Sequence, residues 1–201
     1  EGVGWLRLES LFPLKAPTAL EKTLAVLSIE GQILETQQLL GFTEYIASVN
    51  EVRKAICTLP RKAFPILHSL ATQVRRFDAE LKRVNQLITA TGEIIDSASP
   101  TLQTVRERLR KQRRHLRITM ESYISNKETG SYLQENIVTD RNGRFVLIVK
   151  TAHRKNLPGI VHGSSSSGAS LFLEPLNTVD INNDIVALVQ QEQIEIGKIL
   201  L

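Results

Sequence analysis

A chain of 201 residues with 42% hydrophobic, 23% charged and 5% aromatic side chains is long enough for one packed domain, or for a small core carrying a helical extension. Seven prolines and eleven glycines are too few for a collagenous or low-complexity chain, and there is no run of eighteen apolar residues to cross a bilayer. The formal charge of +4 hides a local excess: residues 101–120 hold seven basic side chains and one acid, a net +6 that leaves −2 elsewhere, so a polyanion partner has to be met through that segment.

The first residues, Glu1-Gly2-Val3-Gly4, have neither the basic head and apolar run of a signal peptide nor an initiator methionine, and a fragment of a longer protein is expected. Trp5 through Leu14 has little periodicity and reads as an irregular lead-in. A helix is expected from Ser28, as its cap, through Ile33, Leu40, Ala47 and Val52 toward Ile56, strained or interrupted at Gly41 and ended by Pro60 and Pro65. The lone Cys57 has no partner for an internal disulfide, which fits a cytoplasmic setting.

Leu67, Leu70, Val74, Phe77, Leu81, Val84 and Ile88 recur at alternating spacings of three and four, the pattern of one long helix packed in a bundle or along a coiled-coil seam. Ser99 is placed to cap a second long helix and Pro100 to open it, since the first turn has no use for the missing N–H. Its stripe is Leu102, Val105, Leu109, Leu116 and Tyr123, interrupted by Gln112 and Thr119, and it runs to about Asn126.

Beyond Gly130 the period shortens from helix to strand. Ile137-Val138 and Phe145 through Val149 flank Asn142-Gly143, the strongest short signal for a tight hairpin. Gly159 through His162 and Leu171 through Glu174 form a second pair about a serine-rich loop, residues 163–170. A last helix is expected from Val179 to Leu201, with Val186, Val189, Ile196 and Leu200 on one face, Glu192 and Glu195 toward water, and a continuation past Leu201. The fold class is therefore mainly α with a small antiparallel β part. Its expected domains are a helical core over 1–130, two β-hairpins of the same core over 131–178, and the start of a lever helix over 179–201.

Little in this sequence carries catalysis. There is no glycine-rich phosphate loop ending in Gly-Lys-Ser or Gly-Lys-Thr, and the serine loop lacks a lysine and a following capped helix. A nucleophilic serine at 164–167 with His162 would need a third orienting group and a preformed oxyanion hole, and adjacent residues on an extended strand tend to diverge. His68, His115, His153 and His162 are scattered, with one thiol between them, and Asp180 and Asp184 have no ligand cluster beside them and read as helix-start charges; no catalytic residue and no metal are expected. The polyanion signal rests on Arg106, Arg108, Arg110, Lys111, Arg113, Arg114 and Arg117. Helical rotation spreads them over more than one face, so two readings stand together: a solvated or internally paired surface, and a nucleic-acid contact carried by backbone charge rather than base stacking.

Two blocks stand out along the chain. The first is Gly92-Glu93-Ile94-Ile95-Asp96-Ser97-Ala98-Ser99-Pro100, with Leu102 and Val105-Arg106. The second runs Gly143-Arg144-Phe145-Val146-Leu147-Ile148-Val149-Lys150, Pro158-Gly159-Ile160-Val161-His162, Ser165, Ser167-Gly168-Ala169, Leu171-Phe172-Leu173-Glu174-Pro175 and Asn182-Asn183. Together they resemble the second bacterial type of MutS homologue, the branch that usually ends in a small MutS-related nuclease domain. Gly163 departs from it where an acidic residue often follows the histidine, as does Phe145 where a tyrosine is common. The likeness extends to Val3-Gly4-Trp5 and Leu20 through Leu40.

The resemblance implies a core and lever-base segment of a longer cytoplasmic ATPase that dimerises through a separate ATPase domain, where ATP and magnesium act, with no cofactor in this segment. It implies nucleic acid as partner, as branched DNA or as ribosomal RNA on stalled or collided ribosomes, and no membrane. Residues 67–90 and 101–126 would transmit nucleotide-driven motion, and 179–201 would begin a lever; the alternative is a structural scaffold that touches no nucleic acid.

Overall fold

The computed structural model describes residues 14–201. The irregular lead-in up to Pro13 and the Val3-Gly4-Trp5 part of the resemblance lie outside the described residues. The chain divides into two compact units, one holding the described residues up to Ala98 together with Gly197–Leu201, the other Ser99–Ile196. The architecture is α+β: helices with one four-stranded antiparallel sheet.

In the first unit the helices are α1 (Leu20–Leu27), α2 (Thr36–Thr58), α3 (Pro65–Gln73) and α4 (Asp78–Leu87). Ser28 closes a helix instead of opening one: its N–H returns to the Leu24 carbonyl at 3.1 Å and its hydroxyl donates to Ala25 at 2.7 Å. The later helix starts seven positions on, where Glu35 and Gln38 exchange side-chain and backbone bonds in a capping box, and it passes unbroken through Gly41.

The long helix expected from Leu67 to Ile88 is two short ones. No proline or glycine breaks it. Instead Arg53 Nε donates to the Ala71 carbonyl at 3.2 Å, taking the acceptor that the N–H of Arg75 would use if α3 continued. Val74 is extended, and Arg76 bonds Asp78 at 2.7 Å, which places an acid in the first turn of α4 where the helix dipole favours it. The apolar stripe serves each piece separately, and residues 67–90 are not a single stiff strut. The core here is thin, Ile56 and Ala71 with Val52, Phe64 and Leu67 around them.

The second unit is built on α5 (Pro100–Ser125), opened by Pro100 after Ser99, whose Oγ accepts from the Leu102 N–H at 3.2 Å. A short α6 (Lys127–Tyr132) leads to β1 (Leu133–Arg141) and β2 (Arg144–Lys150). Asn142 and Gly143 both have positive φ, 54° and 78°, the type I′ geometry whose twist matches the strands it joins. β3 (Gly159–Ser164) and β4 (Ser170–Pro175) follow, and the two hairpins merge into one sheet in the order β1-β2-β4-β3. The register pairs Leu147 with Leu173 and Val149 with Leu171, so one face of the sheet is continuously apolar.

That face meets Val105, Leu109, Leu116 and Met120 of α5 and Ile185 and Leu188 of α7 (Val179–Leu200). The buried face of α7 is therefore Asn182, Ile185 and Leu188, and the expected stripe of Val186, Val189, Ile196 and Leu200 is only half-buried. Rotating the helix this way also reverses the expectation for its acids. Glu192 pairs with Arg106 at 2.7 Å, both side chains under 20% exposed, and Glu195 accepts the Ser99 hydroxyl at 2.6 Å.

Candidate nucleic-acid interface

Charge in the second unit is handled in two opposite ways, and the first is a buried hub at the end of the sheet. Glu174, in the otherwise apolar strand β4, is fully buried and all four of its acceptor positions are filled. Arg144 approaches as a fork, Nε to Oε2 and Nη2 to Oε1, each at 2.9 Å. His162 Nε2 donates to Oε2 at 2.5 Å and Asn182 Nδ2 to Oε1 at 2.8 Å.

Pro175 explains why Asn182 is there. Two residues past the Leu147–Leu173 pair, the β4 residue opposite Phe145 would be Pro175, which has no N–H to give. The Asn182 carboxamide closes both groups instead, accepting from the Phe145 N–H at 3.0 Å and donating to its carbonyl at 3.1 Å. Arg144 Nη2 also donates to Asn183 Oδ1 at 2.9 Å. Burial pushes the Glu174 carboxyl up, but the hydrogen bonds from Arg144, His162 and Asn182 and the guanidinium charge outweigh it and hold it below the ordinary carboxylate value. The bond to Glu174 in turn raises Arg144 above the usual arginine value.

The other residues of the sequence motif are local supports. Asp96 opens a short 3₁₀ turn before Ser99, and Lys150 Nζ donates to the Ser131 carbonyl at 2.9 Å. The Pro158 carbonyl accepts from the Leu176 N–H at 3.2 Å, and the Gly168 carbonyl from the Thr151 hydroxyl at 2.7 Å. Gly159 runs so close to β4 that a Cβ would collide with the Glu174 carbonyl and the Leu173 side chain. His162 is a strand residue bonded to the Glu174 carboxylate, and no serine of the 163–170 loop is bonded to it among the described residues.

The second treatment of charge is the middle of α5. Arg106 is engaged by Glu192. Beyond it Arg110, Arg113, Arg114 and Arg117, spaced i, i+3, i+4, i+7, gather about one surface concavity of about 280 Å³, so four of the seven cations share a face. Lys111, Arg113, Arg114 and Arg117 are exposed, and among the described residues no carboxylate lies within salt-bridge reach of any of them. Lys111, Arg113, Arg114 and Arg117, exposed on a stiff helix with no carboxylate in salt-bridge reach among the described residues, are suited to phosphate oxygens.

Arg113 and Arg117 also border a groove of about 330 Å³ between α5 and the first hairpin, floored by Leu116, Met120, Val138 and Phe145, with Glu121 at its edge. The hub and this groove are the parts that sequence reasoning missed. A carboxylate inside Leu171-Phe172-Leu173-Glu174-Pro175 was the available signal for the hub, since an acid in a buried strand requires a cation partner. The groove needs the packing of α5 on β1 and β2 and has no local signature.

Among the described residues no helix is long and apolar enough to cross a membrane, and no group of three or more His, Cys, Asp or Glu is placed to hold a metal. No family model matches the chain. Among curated proteins it is similar to Endonuclease MutS2 of Pelotomaculum thermopropionicum, 34% identical over 171 residues that cover 85% of this chain and 22% of that protein. Endonuclease MutS2 of Halalkalibacterium halodurans is 34% identical over 203 residues, 100% of this chain and 26% of that protein. Putative endonuclease MutS2 of Bacillus subtilis is 33% identical over 172 residues, 85% of this chain and 22% of that protein. The chain thus spans 22 to 26% of the length of these relatives.

Proposed function

With relatives named MutS2 covering this chain at 32–40% identity, consistent with a MutS2-type fragment, we propose that it serves as a nucleic-acid-contacting core module of a MutS-like ATPase and endonuclease, with α5 as the contact helix and α7 as the base of a lever. The observation that carries this reading is the run of Lys111, Arg113, Arg114 and Arg117, exposed and without acidic partners on one long helix. Clustered cations of this kind bind by releasing counterions from phosphates, which needs no base-specific contact.

In this reading the chain itself performs no covalent step. ATP and magnesium act in a separate ATPase domain through which two copies dimerise in the cytoplasm, and the motion reaches this module through its long helices. The sheet and the Glu174 hub brace α7 against α5 so that the two move as one body. The substrate is branched DNA or the ribosomal RNA of stalled or collided ribosomes. The scaffold reading is favoured for Arg106, because Glu192 already neutralises it.

The test is charge reversal in the intact protein. Arg113→Glu with Arg114→Glu is expected to weaken binding to branched DNA or to collided ribosomes at least tenfold, about 1.4 kcal/mol, while basal ATP hydrolysis stays unchanged. Undiminished binding to both substrates would leave the scaffold reading standing.

A further inference from the structure

The groove beside the basic stripe joins two kinds of surface that the stripe alone does not have. Its floor is apolar, made by the buried Leu116 and Met120 of α5 and the half-buried Val138 and Phe145 of the hairpin. Its rim carries two of the exposed guanidinium groups, Arg113 and Arg117, one helical turn apart. Leu116 and Met120 belong to the packed core beneath, so the surface open to a ligand is the half-buried Val138 and Phe145; phosphate binding at the rim makes no use of it, since a duplex presents its charges outward and its bases are stacked and paired within.

We propose that this groove seats one unstacked base of single-stranded nucleic acid, lying against Phe145 and Val138, while Arg113 and Arg117 hold the flanking phosphates. The inference rests on the reading that α5 meets nucleic acid and narrows it to unpaired segments. Charge complementarity selects the occupant: an apolar, planar body followed at once by anions on both sides is what a nucleotide within a strand presents. Glu121 at the rim has no bonded partner among the described residues and offers an acceptor to the exocyclic amine of a cytosine or an adenine; an adenine-rich strand, into which a fluorescent adenine isomer can be placed, is the probe.

The experiment uses the intact protein, a single-stranded adenine-rich oligonucleotide carrying one 2-aminopurine, and its duplex, each titrated over a series of salt concentrations. Wild-type protein is expected to brighten the 2-aminopurine of the single strand as that base leaves its neighbours. Phe145→Leu is expected to lose about tenfold in single-strand affinity with an unchanged salt slope and unchanged duplex affinity, because an apolar contact is removed and no phosphate contact is. Val138→Gln, on the other wall, is expected to act in the same direction, so the outcome does not depend on one variant folding well.

Unchanged single-strand affinity in both variants overturns the proposal, and so does an equal loss on both ligands. A photoreactive side chain at position 138 that joins a peptide segment instead of the oligonucleotide overturns it too, in favour of a protein occupant. If wild-type protein shows no salt-dependent binding to either ligand, the nucleic-acid reading of α5 fails first and this inference falls with it.

Discussion

Arg144 and Arg113 bear the same side chain in the same compact unit and show opposite solutions to carrying a charge. At the end of the sheet, Arg144 is gripped by a fully buried carboxylate whose other positions are filled by His162 and Asn182. In the middle of α5, Arg113 faces water with Arg114 and Arg117 beside it and no acid in reach among the described residues. The first arrangement fixes which strand ends meet which helix. The second contributes nothing to folding, and like charges at i,i+4 slightly oppose it. A feature that the fold does not need, and that slightly opposes it, is what the nucleic-acid reading proposed above accounts for.

The contrast can be broken most forcefully at the hub. Glu174→Ala is expected to destabilise the protein by about 3–5 kcal/mol in urea unfolding, because Arg144 is left largely buried without its counter-charge. Acid reads the same site more gently. A carboxyl held below its ordinary value stabilises the fold fully above that value, 4.5, and loses the contribution as pH falls through the depressed one. Glu174→Gln is therefore expected to give a less stable protein whose stability falls less steeply over that acid range, measured as unfolding midpoint against pH.

Gly159→Ala tests the support beneath the hub. Its new methyl group meets the Glu174 backbone carbonyl, which cannot swing aside as a long side chain would, and a loss of about 1–3 kcal/mol is expected. Arg106→Ala removes a largely buried ion pair between α5 and α7 and is expected to cost about 1–3 kcal/mol, in the same assay. At the far end of the scale, Arg113→Glu with Arg114→Glu is expected to shift stability by no more than about 0.5 kcal/mol. A large loss there would mean that these side chains are structural after all and would erase the distinction.

Much of this molecule could be read along the chain because its signals are local. Ser99-Pro100 names a helix start by capping and ring geometry, and Asn142-Gly143 names a hairpin by the only backbone region that turn can use. The break between α3 and α4 was hidden because its cause, the Arg53 guanidinium on the Ala71 carbonyl, comes from another helix. Glu192 and Glu195 read as water-facing because the rotation of α7 is set by Asn182 reaching back to β2, which no periodicity reports. For the site, the cations were plain in the sequence, but which of them the fold neutralises depends on contacts between residues as far apart as Arg106 and Glu192.

The most direct measurement is the salt dependence of nucleic-acid binding by the intact protein and by its Arg113→Ala, Arg114→Ala, Arg117→Ala triple variant. If these three side chains meet phosphates, the slope of log affinity against log salt falls in magnitude by roughly 2–3, with the fold unchanged. An identical slope in the two proteins would contradict the account, and would return α5 to the role of a solvated strut.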